Sequence, residues 1–109
     1  MSNLFSNGQL GRITINNRII MAPMTRSRAD AAGNPTPMML DYYRQRASAG
    51  LIIAEGTYPS ENGKGYCRTP GIVNQQQIDA WGEITAAVQA EGGKMVLQIM
   101  HCGRCSHAD

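Results

Sequence analysis

The 109-residue sequence contains no apolar run approaching the roughly 20 residues of a membrane span, so no membrane-crossing helix is expected. Its opening residues, MSNLFSNGQLGRI, lack the basic start and apolar stretch of a secretory leader, which predicts a cytoplasmic protein. Three cysteines are an odd number and cannot all pair within one chain. In a reducing compartment a disulfide framework is not expected, and Cys67, Cys102 and Cys105 are read as free thiols. Neither GxGxxG nor GxxxxGK(S/T) occurs, which removes the dinucleotide loop and the P-loop. Ten Lys and Arg against eight Asp and Glu leave a net charge of +2 with no basic stripe, so neither nucleic acid nor an acidic partner is indicated. Internal repeats and low-complexity segments are missing as well.

What remains is a sequence with 42% apolar residues, enough for one modest core, and residues 1–109 are read as a single domain. The order of signals is β-α-β-α-β. Residues 11–17 alternate polar with apolar and suit half of a small hairpin covering one end of the domain. Residues 17–22 form a short apolar run closed by Pro23, the first core strand. Thr36 can cap a helix beginning at Pro37 and running to about Ser48, with Met39, Leu40, Tyr43 and Ala47 in one stripe and Gly50 as its stop. Leu51–Ala54 reads as a strand buried on both faces. A long loop follows from Gly56 to Val73. Asn74 and Gln77 open a second helix whose inner face is Ile78, Trp81, Ile84, Thr85 and Val88, ended by Gly92 and Gly93. Met95–Met100 is the third strand. Right-handed crossovers place both helices on one face of a parallel sheet and leave the other face bare, as in the opening of a longer βα fold.

The carboxyl ends of parallel strands share one edge, where ligands of α/β proteins bind. Here that edge gathers Ala22, Pro23, Met24 and Thr25, then Glu55, Gly56 and Thr57, then Gln98 to His101. Gly56 is either a turn residue or a place where a flat ring can approach the backbone. Gln98 reads as an amide inside a buried strand, bonded either to neighbouring backbone or to a heteroaromatic edge, because leaving it unpaired would cost about 1–3 kcal/mol. The stretch HCGRCSH supplies four candidate zinc ligands in His101, Cys102, Cys105 and His107, and its Cys-x-x-Cys is also a redox-dithiol spacing. A single Cys-x-x-Cys lacks a second ligand pair, so a strand-end loop with no metal is the favoured reading.

MAPMTRSRA, GNPTP, YYRQRASAGLIIAEGT, GKGYCRTPGI and VLQIMHCGR, in this order, resemble the N-terminal portion of the Old Yellow Enzyme family of FMN-dependent ene-reductases over nearly the whole chain. The resemblance implies a partial TIM (β/α)8 barrel: an N-terminal hairpin cap, the first three parallel strands and two helices. It implies FMN across the strand ends, with Pro23, Met24 and Thr25 packed on and bonded to the isoalloxazine, Gly56 beside it where many relatives have Ala, and Gln98 on its pyrimidine edge. Thr25 would tune the flavin and Tyr66 would line the substrate pocket. Met100 stands where many relatives carry Trp, which would widen or soften that pocket. His101 and Arg104 would be structural, pairing with loops, and Arg26 and Arg28 carry no assigned role.

NADPH or NADH would be the reductant and an activated C=C of an unsaturated carbonyl the acceptor. The family's substrate-orienting pair, proton-donating Tyr, later flavin-contacting Arg and phosphate loops have no counterpart in these 109 residues. One missing oxyanion donor alone costs about 3–4 kcal/mol, so little or no activity is expected from this polypeptide by itself. The competing expectations are a non-catalytic truncated barrel whose bare face binds the remainder of a barrel or another copy of itself, and a zinc or thiol-redox protein acting through Cys102 and Cys105.

Overall fold

The computed structural model describes residues 3–105. Strands β1 (Gly8–Leu10) and β2 (Ile13–Ile15) form an antiparallel hairpin in which Gly8 opposes Ile15 and Leu10 opposes Ile13. Ile15 is its buried anchor. Arg12, Ile13 and Thr14 share a cavity with Leu51, Met95 and Val96, so the hairpin covers the amino end of the main sheet.

That sheet is parallel, in the order β3 (Ile20–Met21), β4 (Leu51–Thr57) and β5 (Met95–Ile99). Helices α1 (Pro37–Arg44) and α2 (Gln75–Ala90) join the strands. Both pack on the same face: Met39 and Tyr43 of α1, Trp81, Ile84 and Val88 of α2, and Ile52 and Ala54 of β4 form one buried cluster. Met21, Met95 and Leu97 pack against it. Side chains alternate along a strand, so Ile20, Val96 and Gln98 point the other way. Ile20 is 43% and Val96 37% exposed, so the described residues leave the second face largely open.

The two helices begin as their sequence signals predict, but other element bounds differ. The Thr36 hydroxyl accepts from the Met39 N–H with Pro37 at the first helical position, and the Asn74 side chain accepts from the Gln77 N–H. Helix α1 stops at Arg44 rather than near Ser48. Beyond it the chain tightens into bonds between residues three apart, Arg46 N–H to Tyr43, Ala47 to Arg44 and Ala49 to Arg46. Ala47 still reaches the core from this tightened turn. Strand β3 pairs only at Ile20 and Met21 instead of over residues 17–22, because Asn17 is engaged elsewhere: its side chain donates to Ser48 O and accepts from the Ile19 N–H. Strand β4 is longer than expected, reaching Thr57. Ile78, expected on the inner face of α2, is 44% exposed, and Gln77 takes the buried place instead. The Gln77 amide accepts from the Val73 N–H at 2.7 Å and donates to Ala32 O at 3.1 Å, which pins the start of α2 to the turn before α1.

Candidate functional site

The carboxyl edge of the sheet is built around an irregularity in β4. Ala54 pairs with Leu97 and Thr57 with Ile99, so Glu55 and Gly56 together oppose Gln98, a bulge that re-aims side chains. Strict alternation would send Glu55 to the open face, away from Ala54. Instead it turns to the helix side, where the Tyr43 hydroxyl donates to Glu55 Oε2 at 2.6 Å and accepts from the Glu55 N–H at 3.1 Å. Both residues are fully buried. Burial pushes the Glu55 carboxyl above the ordinary range, against the Tyr43 bond and the Arg26 amide and guanidinium, which pull it down. Burial and the bond to Glu55 push the Tyr43 phenol upward too. Among the described residues nothing hydrogen-bonds Glu55 Oε1, and Glu55 lines a cavity of about 160 Å³ together with Arg26, Arg28, Met38, Met39 and Tyr42.

This pair is the part of the edge that the motif reading passes over. Tyr43 reads as one member of a helix stripe and Glu55 as the end of a strand. The available signal is an acid placed directly after LIIA, within a strand otherwise apolar.

The expected flavin-facing residues lie along the same edge. Met21 is level with Ile52 across β3 and β4, Thr25 lies on the irregular segment that leaves the carboxyl end of β3, and Gln98 opposes Glu55 and Gly56 from β5. Thr25 and Gln98 are exposed, Met24 is 44% exposed and Pro23 is half-buried. Gln98 is therefore not a buried amide. It sits on the uncovered face of an edge strand, and the cost expected for burying it unpaired does not arise. Among the described residues, nothing bonds the Thr25 hydroxyl or the Gln98 amide.

Gly56 has a neighbour that the sequence alone does not reveal. A Cβ placed there would lie 2.5 Å from Met100 Cε, 2.9 Å from Sδ and 3.1 Å from Cβ, so the Met100 side chain occupies the space a larger residue would need. Tyr66 is 56% exposed on the loop after β4. The ring of His101 meets Gly63 and places Nε2 3.3 Å from Asn62 Oδ1, while its Nδ1 accepts from the Gly103 N–H, a structural pairing of the expected kind. His107 lies outside the described residues. Among those described, no three His, Cys, Asp or Glu side chains gather as a metal site, and no helix is long and apolar enough to cross a membrane.

Residues 3–109 match the model of the NADH:flavin oxidoreductase / NADH oxidase family. The chain is 48% identical over 105 residues to 12-oxophytodienoate reductase 7 of Oryza sativa subsp. japonica, covering 95% of this chain and 26% of that protein. It is 47% identical over 106 residues to a chanoclavine-I aldehyde reductase of Penicillium roqueforti, again covering 95% of this chain but 29% of the relative. The structure superposes on morphinone reductase in complex with tetrahydroNAD with a TM-score of 0.93 at 47% identity, covering 98% of this chain and 29% of that one. It superposes equally well, TM-score 0.93, on the old yellow enzyme homologue of Zymomonas mobilis, with 96% and 30% covered. The chain thus spans under a third of the length of each of these four relatives. The family match over residues 3–109, together with these identities and superpositions, makes this chain a member of the Old Yellow Enzyme family of FMN- and NAD(P)H-using TIM-barrel oxidoreductases, matching its N-terminal part.

Proposed function

We propose that the carboxyl edge of β3, β4 and β5 is the flavin-facing shelf of an ene-reductase-type oxidoreductase, with NAD(P)H as reductant and an unsaturated carbonyl as acceptor. The observation that carries this reading is a pair of exposed polar groups at the carboxyl edge that no described residue bonds, the Thr25 hydroxyl just past β3 and the Gln98 amide on β5. Pro23 and Met24 offer apolar surface to a flat ring, Thr25 a hydroxyl to its polar rim, and Gln98 both a donor and an acceptor to a pyrimidine edge. FMN, when bound, supplies the centre that takes and returns a hydride. Donors held in place at such an edge stabilise negative charge developing beside them, because they need no reorganisation at that moment. Tyr66 and Met100 would border the substrate above this shelf. The polypeptide by itself is expected to turn over an unsaturated ketone with NADPH slowly or not at all, and rates normal for flavoenzymes would overturn that expectation.

Titrating the chain with FMN and following the visible band through desalting tests the shelf directly. A shifted band that weakens in Thr25→Ala and Gln98→Ala supports the assignment. No shift at saturating FMN, or a shift indifferent to both substitutions, refutes it. A second reading, an interaction module, draws on the apolar residues of the open face, Ile20 at 43% and Val96 at 37% exposure. Sedimentation would show self-association if another copy covers them.

A further inference from the structure

The flavin reading leaves one feature unused: the cysteine pair just beyond β5. The Cys105 N–H donates to the Cys102 carbonyl at 3.1 Å, closing a single 3-10 turn over Gly103–Cys105. In such a turn the first and fourth Cα atoms are less than about 7 Å apart, within the reach of a disulfide. The two sulfurs have unequal surroundings. Cys102 is half-buried, held by its N–H to Gly63 O at 2.9 Å, and its Sγ lies against Gly65, where an added Cβ would come within 2.6 Å of it. Cys105 is exposed. A shielded thiol beside an exposed one, one turn apart, is the arrangement in which an incoming oxidant meets the outer sulfur and the inner one completes the exchange. Cys67 is also exposed, on the loop that carries Gly65, and among the described residues nothing ties it to either partner.

We propose that Cys102 and Cys105 form a redox-modifiable dithiol that a small-molecule disulfide converts to an intramolecular disulfide at the carboxyl edge of β5. The Cys105 thiolate attacks one sulfur of the small disulfide, forming a mixed disulfide and expelling one thiolate, which takes up the proton Cys105 released. The Cys102 thiolate then attacks the Cys105 sulfur, forming the internal bond and expelling the second small thiol, which carries off the Cys102 proton. The two cysteines lose two electrons and the small disulfide gains them. The bond fixes the turn that His101 and Gly63 tie to the loop bearing Tyr66, so the modification reaches the border of the proposed substrate side without touching the shelf.

The test equilibrates the 109-residue chain with glutathione disulfide and glutathione at several ratios, alkylates residual thiols after acid quench, and maps the peptides by mass. The expected product has Cys67 alkylated and a Cys102–Cys105 peptide lighter by about 2 Da, formed at least about tenfold more favourably in native buffer than in concentrated urea. Cys102→Ser should stop at a mixed disulfide on Cys105, and Cys67→Ser should leave the internal bond unchanged. A disulfide involving Cys67, stable glutathione adducts without an internal bond, three alkylated cysteines at every ratio, or equal formation in urea would each overturn the assignment.

Discussion

Gly56 and Met100 fill one space between them, and neither can be understood alone. Gly56→Ala should cost about 1–3 kcal/mol in urea unfolding, because its methyl meets the Met100 side chain as far back as Met100 Cβ. In the Gly56→Ala, Met100→Ala double variant most of that penalty should vanish. Strictly additive costs would mean that the two do not share the space. Glu55 yields a prediction of a different kind. Its folded-state pKa lies above the ordinary carboxyl value of 4.5, so on raising the pH the unfolded chain releases its proton first. Stability from this group is therefore full below about pH 4.5 and declines as the pH climbs toward the folded value. Glu55→Gln should flatten that decline in denaturant melts recorded from acid to neutral pH. An unchanged slope would place the titration elsewhere. Residue identities along the edge were legible from their motifs, but environments were not. Gln98 reads as buried because its neighbours are apolar, yet an edge strand's exposure is set by what lies beside it in space, which no local window contains.

Capping chemistry accounts for both helix starts, since Thr36 and Asn74 accept the N–H groups that their positions call for. Asn74→Ala should lower stability by about 1 kcal/mol, read by thermal circular dichroism, with the fold intact. Gln77→Leu should cost more than Asn74→Ala, because it leaves the Val73 N–H and Ala32 O without their partner while fitting the same buried volume. A smaller loss from Gln77→Leu would show that the bridge to the preceding turn is incidental. Element type and order follow from periodicity, and hence so does placement of both helices on one face. Element ends do not, because they answer to distant groups. α1 yields early to a tightened turn, β3 gives up its first residues to the Ser48 carbonyl, and β4 gains length where Tyr43 takes in a carboxyl that a strand would otherwise turn outward.

Across the molecule, the one-sided sheet dominates. The radius of gyration is 14.7 Å where a compact chain of this length would have about 13 Å, in keeping with a layer that has helices on one side only. Val96→Lys, on the open face of the edge strand, should reduce self-association in sedimentation runs while leaving the far-ultraviolet spectrum unchanged. Equal association by both proteins would locate the sticky surface elsewhere. Gly50, at the opposite end of β4, has a long reach. It runs so close beneath Asn17 that any side chain would collide with the Asn17 carbonyl oxygen, and its N–H holds Ile19 O at 2.8 Å. A substituent there would prise the first strand from its neighbour. Thr25, on the segment that this strand leads into, would lose its footing, so a lesion at the floor of the sheet would be mistaken in an assay for damage at the ceiling.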